Sequence, residues 1–367
     1  MKDNLLTEEN KIFLNELAKL DHRFVGVDDG HSCIKIYVGI SGDLSEPIQF
    51  KMFSRAKIGV ANMGDDDTIN RELVVVDGDT YTVNENIPDF ESTQNDNYPL
   101  SKLNKALVYQ GLRKADVGRS NVVIATGLPV SKFYTSGMQK MMNKDLLLKK
   151  KNHLMGMSDV YNKFDHSREI PQIKVIDHKV FCEANAAYYD VLLNDLGEIT
   201  ELAESYELFE YGAAVIDIGG RTTDCVVINP GGGSLNSNRS GTVNLGILDL
   251  MEELRNDLKA RHNWSFISET SLNKAMLTGH YGAGANKVDV TDLVQAHKER
   301  LFKRLESFID STIGDASDVP AIILVGGGSY ILGETIKKKY KNLIIPEEQE
   351  FSNARGFYKI LVHHARN

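Results

Sequence analysis

Phe24-Val25-Gly26-Val27-Asp28-Asp29-Gly30-His31-Ser32-Cys33-Ile34-Lys35-Ile36-Tyr37-Val38 opens an apolar run, breaks it at an acidic-glycine turn and resumes it. Ala214-Val215-Ile216-Asp217-Ile218-Gly219-Gly220-Arg221-Thr222-Thr223-Asp224-Cys225-Val226-Val227-Ile228 repeats the pattern in the second half of the chain. Aligned on Asp28 and Asp217, Lys35 and Asp224 fall in the same slot. One Asp-x-Gly alone is a plain turn. Two of them, with charged residues in matched slots, are what a phosphate clamp made from two related domains leaves in sequence.

With 367 residues the chain is long enough for two domains with their own cores. Its 42% hydrophobic and 25% charged residues match a soluble globular protein and exclude a disordered or fibrous one. Lys and Arg total 42 against 51 Asp and Glu, so the formal charge of -9 argues against direct nucleic-acid binding. The basic runs of note, Lys149-Lys150-Lys151 and Lys337-Lys338-Lys339, read as solvated helix faces. Cys33, Cys182 and Cys225 show neither metal-ligand nor CxxC spacing and are expected in the core of a protein from a reducing compartment. No apolar stretch approaches the ~18 residues that span a bilayer, and the start lacks a signal-peptide apolar region. The expected location is cytoplasmic, away from membranes.

Residues 1–22 read as an N-terminal extension carrying a short amphipathic helix, with Phe13, Leu17 and Leu20 at helical spacing. It either packs on the body or meets a partner. Domain I is expected over 23–195, with a small subdomain over about 40–115. Val74-Val75-Val76-Asp77-Gly78-Asp79-Thr80-Tyr81-Thr82-Val83 within it is a hairpin, because Asp-Gly supplies the positive φ angles of a two-residue turn. A helix follows over Lys102 to Leu112, then strand Val122–Ala125, the turn Thr126-Gly127-Leu128-Pro129 and a polar helical stretch from Ser136 to Asn162. Strand Ile173–Ile176 leads to a helix beginning Glu183-Ala184-Asn185-Ala186-Ala187-Tyr188-Tyr189. Domain II, over 196–367, repeats the order, with a helical subdomain over about 246–312, strand Ala321–Val325, the Gly326-Gly327-Gly328 turn, strand Leu343–Ile345 and a closing helix. Hairpin, strand-helix, strand-helix, twice over, gives two α/β domains with mixed sheets and a cleft suited to a nucleotide.

Backbone amides approach phosphate oxygens most closely where glycine removes the Cβ. Asp29-Gly30-His31-Ser32 and Gly219-Gly220-Arg221-Thr222 fit that task, one from each domain. Lys35 reaches a phosphate as a point charge. Asp28 and Asp217 are placed to hold Mg²⁺ through water, since that ion keeps much of its hydration shell. Asp224 orients water or the metal. Gly326-Gly327-Gly328 follows a buried strand and opens a helix, which suits a phosphate and adenosine at a helix N-terminus. Gly231-Gly232-Gly233 follows Asn229-Pro230 and reads as a flexible hairpin loop. Glu183, at the start of its helix, either positions an attacking water or serves the helix dipole.

These elements resemble the actin, Hsp70 and sugar-kinase superfamily, and within it the plasmid-segregation actins of the ParM/StbA family. The resemblance rests on Val27-Asp28-Asp29-Gly30 with Ile34-Lys35, Ala125-Thr126-Gly127-Leu128-Pro129, the Glu183 helix, Asp217 to Asp224, Val325-Gly326-Gly327-Gly328 and Asn353-Ala354-Arg355-Gly356, and it spans about residues 24–365. It implies an actin-like, ribonuclease H-like fold with duplicated domains, mixed five-stranded sheets and an interdomain nucleotide cleft. By the same resemblance Asp28 matches the Mg²⁺-linked Asp, Lys35 the β-phosphate Lys, Glu183 the hydrolytic Glu, Asp217 the second catalytic Asp, and Gly326 to Gly328 the adenosine loop. Leu245-Gly246 is similar to a nucleotide-proximal segment. His31 stands where the family has Ser or Thr, and Arg221 replaces a common Thr. The implied activity is ATP hydrolysis, with GTP possible and Mg²⁺ required, coupled to head-to-tail filaments. A DNA-binding adaptor would join those filaments to centromere-like plasmid DNA. Two readings compete with this one, a small-molecule kinase and a non-filamentous chaperone or regulatory ATPase of the same superfamily.

Overall fold

The computed structural model describes residues 7–41, 43–60, 72–87, 89–118, 121–135, 141–157 and 173–367. Strand β1 (His22–Asp29) runs antiparallel to β2 (Cys33–Val38), which pairs antiparallel with β3 (Ile48–Phe53). Strands β4 (Ala56–Ile58), β5 (Leu73–Val76) and β6 (Asp79–Val83) form a separate three-stranded sheet. Asp77 and Gly78 turn β5 into β6 with φ of 48° and 85°, the conformation that the Asp-Gly pair predicts. Strand β7 (Asn121–Leu128) pairs parallel with β1, and β9 (Lys174–Cys182) pairs parallel with β7. The two-residue strand β8 (Gly156–Met157) adds to the outer edge of β9. The first large sheet is thus ordered β3-β2-β1-β7-β9-β8.

In the second half, β10 (Ala213–Ile218), β11 (Thr223–Ile228) and β12 (Gly241–Val243) are successively antiparallel. A short hairpin, β13 (His280–Tyr281) with β14 (Val288–Asp289), lies within the helical region. Strands β15 (Ile322–Val325) and β16 (Leu343–Ile344) then continue parallel from β10. The order β12-β11-β10-β15-β16 copies β3-β2-β1-β7-β9 in direction and sequence, so the duplication read from the two acidic turns extends through all five strands. The Gly231–Gly233 segment is a loop, closed by Asn229 N–H on Ser234 O at 2.9 Å. All three cysteines are buried thiols. Among the described residues no helix is long and apolar enough to cross a membrane.

Two compact units result, Met1–Phe209 with Phe351–Asn367, and Glu210–Glu350. The expected boundary at 195/196 therefore falls later, and the closing helix (Ser352–Arg366) belongs to the first unit, not to a second domain running to residue 367. Glycine explains why. A Cβ on Gly26 of β1 would overlap Ala354 O, and one on Gly356 would overlap Ala186 O. The helix thus lies directly on β1 and on helix Glu183–Leu192. Buried Asp190 locks it there, receiving Arg355 Nε and Nη2 at 2.7 Å each and Lys359 Nζ at 2.9 Å. Burial opposes ionisation of Asp190, but Lys359 and Arg355 hold its carboxyl below the ordinary range.

Alternation of side chains across the first sheet sorts its two layers. Val122 and Ile124 pack with Leu107, Leu112 and Leu154, whereas Val123 and Ala125 pack with Ala186, Phe357 and Leu361. Helices Lys102–Ala115 and Lys144–Leu154 therefore cover one face, and Glu183–Leu192 and Ser352–Arg366 the other. The expected Ser136–Asn162 helix is only Lys144–Leu154 among the described residues; 136–140 and 158–162 lie outside them. Strand β9 runs on past Ile176 to Cys182, because a bulge opposite Val122/Val123 shifts its register and breaks the alternation a sequence reading relies on. The extension's helix, Glu8–Lys19, packs on the body: Leu14 and Leu17 are buried, and Arg366 meets Asn10 Oδ1 at 2.9 Å and lies over the Phe13 ring.

The helix seat on β1 gives a stability test. Gly26→Ala should lower unfolding free energy by about 3 kcal/mol, since both colliding groups are backbone. Gly233→Ala, whose Cβ meets nothing within 4 Å, should stay within about 0.5 kcal/mol of wild type. Urea titration of both variants measures the contrast.

Candidate functional site

In the first unit the candidate residues gather at the carboxyl ends of β1, β7 and β9. Asp28 and Lys35 are ladder partners, and Lys35 Nζ donates to Asp28 Oδ2 at 2.7 Å. Both side chains are about nine-tenths buried, so this ion pair is far less screened than a surface one. Three successive carbonyls of the turn are drawn to one side. Gly30 O accepts from Ser54 Oγ at 2.7 Å and Tyr98 OH at 3.3 Å, His31 O from Thr93 Oγ1 at 2.6 Å, and Ser32 O from Ser54 N–H at 2.9 Å. In a trans peptide the next residue's N–H points opposite to the carbonyl. The amides of His31 and Ser32 thus face away from this buttress, as an anion-binding turn requires.

His31, which departs from the family's hydroxyl residue, reinforces the same arrangement. Its Nδ1 donates to Thr93 O at 2.6 Å, and its ring lies 4.8 Å from that of Tyr98. Asp29 does not face the turn's open side. Its carboxylate is buried and accepts from Lys150 Nζ at 2.9 and 3.0 Å and from Asn104 Nδ2 at 2.8 Å. Lys150, read as part of a solvated basic run, is instead 1% exposed, and its ammonium also donates to Gly127 O at 2.6 Å. Asn104, Ser54, Thr93 and Tyr98 likewise went unrecognised in the sequence.

Glu183 begins its helix one residue after β9 ends, half-buried. A Cβ on Gly127 would overlap its Cγ, so the Gly-Leu-Pro turn is the floor on which that side chain rests. The parallel registers pair Gly26 with Ala125 and Gly127 with Phe181, so Glu183 follows a strand that lies two places from β1 in the sheet.

In the second unit Asp217 and Asp224 are ladder partners and both are buried. Thr242 Oγ1 donates to Asp224 Oδ1 at 2.5 Å. Helix Ile247–His262 ends on the turn: its Ile247 and Leu248 amides donate to Gly219 O at 3.1 Å and Gly220 O at 2.8 Å. By the same trans-peptide rule the amides of Gly220 and Arg221 face away from that helix. Gly246 is required at this junction because a Cβ there would overlap Gly220 O; Asp249 Oδ2 accepts its N–H at 2.8 Å. Thr222 O closes the turn by accepting from Gly219 N–H at 2.9 Å.

Gly326, at φ 83°, presses on the same strand end, where a Cβ would overlap Asp217 Oδ1. Gly328 N–H donates to Ile218 O at 2.9 Å and then caps helix Ser329–Lys339. Around Gly327 a Cβ would meet nothing within 4 Å. The second unit therefore collects Asp217, Gly219, Gly220, Arg221, Thr222, Gly246 and Gly326–Gly328 at one strand end, as the first collects Asp28, Gly30, His31, Ser32, Lys35 and Glu183.

Known proteins resemble both halves of the chain. The family described as "Actin like proteins N terminal domain" matches residues 26–177, and "Archaeal actin homologue MreB-like, C-terminal" matches residues 215–338. No curated protein matches the sequence. Among solved structures, the archaeal actin homolog Ta0583 in complex with ADP is 20% identical, covers 94% of this chain and 100% of its own, and superposes with a TM-score of 0.70. Actin-like protein Alp7A is 18% identical over 94% of this chain and 96% of its own, with a TM-score of 0.71. A subunit of a 15-stranded ParM filament from Clostridium botulinum is 18% identical over 94% and 100%, with a TM-score of 0.69. At such identities the likeness is one of fold, and the fold is actin-like.

Behind the first turn, fully buried His178 donates from Nδ1 to Lys151 O at 3.1 Å and accepts at Nε2 from Thr126 Oγ1 at 2.9 Å. Burial, with Lys150 and Lys151 nearby, pushes its pKa down from 6.5 to about 4, while Asp29 and the Lys151 carbonyl act the other way. The unfolded chain therefore takes up this proton first. Stability owed to neutral His178 is whole above pH 6.5 and is lost as pH falls toward 4. Denaturant titrations across that window should show wild type losing about 3 kcal/mol relative to His178→Gln.

Proposed function

We propose that this chain, an actin-like protein in both its halves, is an ATPase that assembles into nucleotide-dependent filaments. The observation that carries the reading is the repeated turn. Each unit fixes its glycine-turn carbonyls from behind and presents amides and an acidic strand end on the other side. That is a phosphate-binding device made twice. The ADP in the Ta0583 complex and the ParM filament subunit lend support from structures of the same fold.

Within this reading Lys35 holds the β-phosphate, with Asp28 fixing its ammonium until the nucleotide arrives. The amides of His31, Ser32, Gly220 and Arg221 take phosphate oxygens, while Gly30, Gly219 and Thr222 shape the turns that present them, Gly219 N–H closing its own turn on Thr222 O. Gly326 to Gly328 pass along the adenosine side, where the open space at Gly327 leaves room for a ligand. Asp28 and Asp217 hold Mg²⁺ through water. The residues suit that ion: each unit carries a buried carboxylate near the end of its first strand, Asp28 or Asp217, and Mg²⁺ commonly binds through one or two carboxylates, with water and phosphate completing its shell. Bound Mg²⁺ would neutralise phosphate charge. Glu183 positions the attacking water. The acidic balance fits coupling to plasmid DNA through a separate adaptor, not through the chain itself.

Sedimentation with ATP, ADP and a non-hydrolysable analogue tests the assembly. Pelleting should follow the nucleotide state; a protein soluble under all three conditions that phosphorylates a metabolite would replace this reading with a kinase. Glu183→Ala should bind ATP and assemble, yet release phosphate on the order of 10²-fold more slowly. Lys35→Ala should instead weaken nucleotide affinity by about 30-fold in a fluorescent-nucleotide titration, because a charge-assisted contact is lost.

A further inference from the structure

We propose that Lys150 is a positioning residue for the reaction just assigned, fixing the phosphate-turn hairpin relative to Glu183. Its ammonium has three N–H donors, and all three have acceptors: both Asp29 carboxylate oxygens and Gly127 O. Nothing remains to contact a nucleotide, so Lys150 acts through its partners. One partner, Asp29, adjoins Asp28, which holds Lys35. The other, Gly127, is the residue against which the Glu183 side chain rests. A single buried nitrogen therefore links the lysine proposed to hold phosphate with the carboxylate proposed to orient water.

The helix that supplies Lys150 is itself registered to the strand ends. Lys151 O receives His178 Nδ1, and His178 Nε2 faces Thr126, next to Gly127. Two successive helix residues are thus tied to two successive residues of β7, Lys150 directly to Gly127 and Lys151 to Thr126 by way of His178. Asn104 completes the enclosure by donating to Asp29 Oδ2 at 2.8 Å. Because both side chains are almost wholly buried, the ion pair cannot slacken without leaving a bare carboxylate in the interior. An arginine would not replace it, since a planar fork cannot aim three bonds from one atom.

The inference rests on the ATPase reading, so the test includes a measurement that needs no activity. Lys150→Met alone strands a buried carboxylate and risks unfolding; Asp29→Asn/Lys150→Met removes both charges together. That double variant should melt cooperatively and bind fluorescent ATP within about threefold of wild type. Its kcat for phosphate release should fall on the order of 10²-fold with little change in KM, the effect of misplacing a reacting group by about 1 Å. Lys150→Arg should not restore kcat. In nucleotide-free protein, amide exchange should accelerate together at residues 30–35 and 127–128 and at the start of the Glu183 helix. A folded double variant with wild-type turnover and wild-type exchange overturns the inference. If wild type hydrolyses no ATP, the ATPase reading fails by itself, and the exchange data alone then support or overturn the Lys150 link.

Discussion

A carboxylate excluded from water is tolerable only when cations and donors enclose it, and Asp29 imposes that condition on the first unit. Lys150 and Asn104 come from separate helices, Lys144–Leu154 and Lys102–Ala115, and both converge on it. The requirement therefore sets the seat of two helices on one face of the sheet, and through Gly127 O it ties in the end of β7. Dispersion among leucines and valines fills the layer but tolerates sliding. The ion pair does not, because its geometry is directional. Asp190 repeats the solution on the opposite face, with Arg355 and Lys359 fixing the C-terminal helix. Each covered face of the sheet is thus registered by one buried acid.

Close approach of backbones is the second constraint, and glycine supplies it at a few decisive points. Gly26 and Gly356 let the C-terminal helix touch β1 and its neighbouring helix, where a methyl group would meet a carbonyl. Gly246 does the same between a helix end and the Gly219-Gly220 turn. These contacts bring helix amides within hydrogen-bonding distance of turn carbonyls, and that orientation leaves the turn's own amides facing outward. Packing and site chemistry are here a single arrangement.

Much of this was legible from the chain. The paired turns disclosed the duplication, the Asp77-Gly78 hairpin followed from positive-φ chemistry, and the glycine run after Ala321–Val325 marked a strand-to-helix turn. The reading failed where one residue type serves opposite ends. Lys149, Lys150 and Lys151 look alike in a row, yet Lys150 falls on the stripe that carries Leu147 and Leu154, at the helical spacing of a buried face. That spacing is the signal of a buried lysine, although lysine is among the residues that most rarely leave water. Asp29 misled for a related reason. Adjacent strand residues point to opposite faces, so of two neighbouring aspartates only one can face the turn's open side. The Ser54, Thr93 and Tyr98 supports left no local trace, since each reaches Gly30 or His31 from a distant segment. The C-terminal helix was assigned to the wrong unit because chain order says nothing of which sheet a terminal helix covers.

The two turns share a frame but differ in charge. In the first, the ladder position opposite Asp28 is a lysine, and the pair is neutral. In the second, the position opposite Asp217 is another carboxylate, Asp224, with a threonine hydroxyl donating to it. Two carboxylates in register repel when both are ionised. Burial of the adjacent Cys225 among these acids raises its thiol well above the ordinary range, so that residue contributes no further charge. The duplicated frame thus carries different charge at its two turns: a lysine–aspartate pair in one and two carboxylates in register in the other.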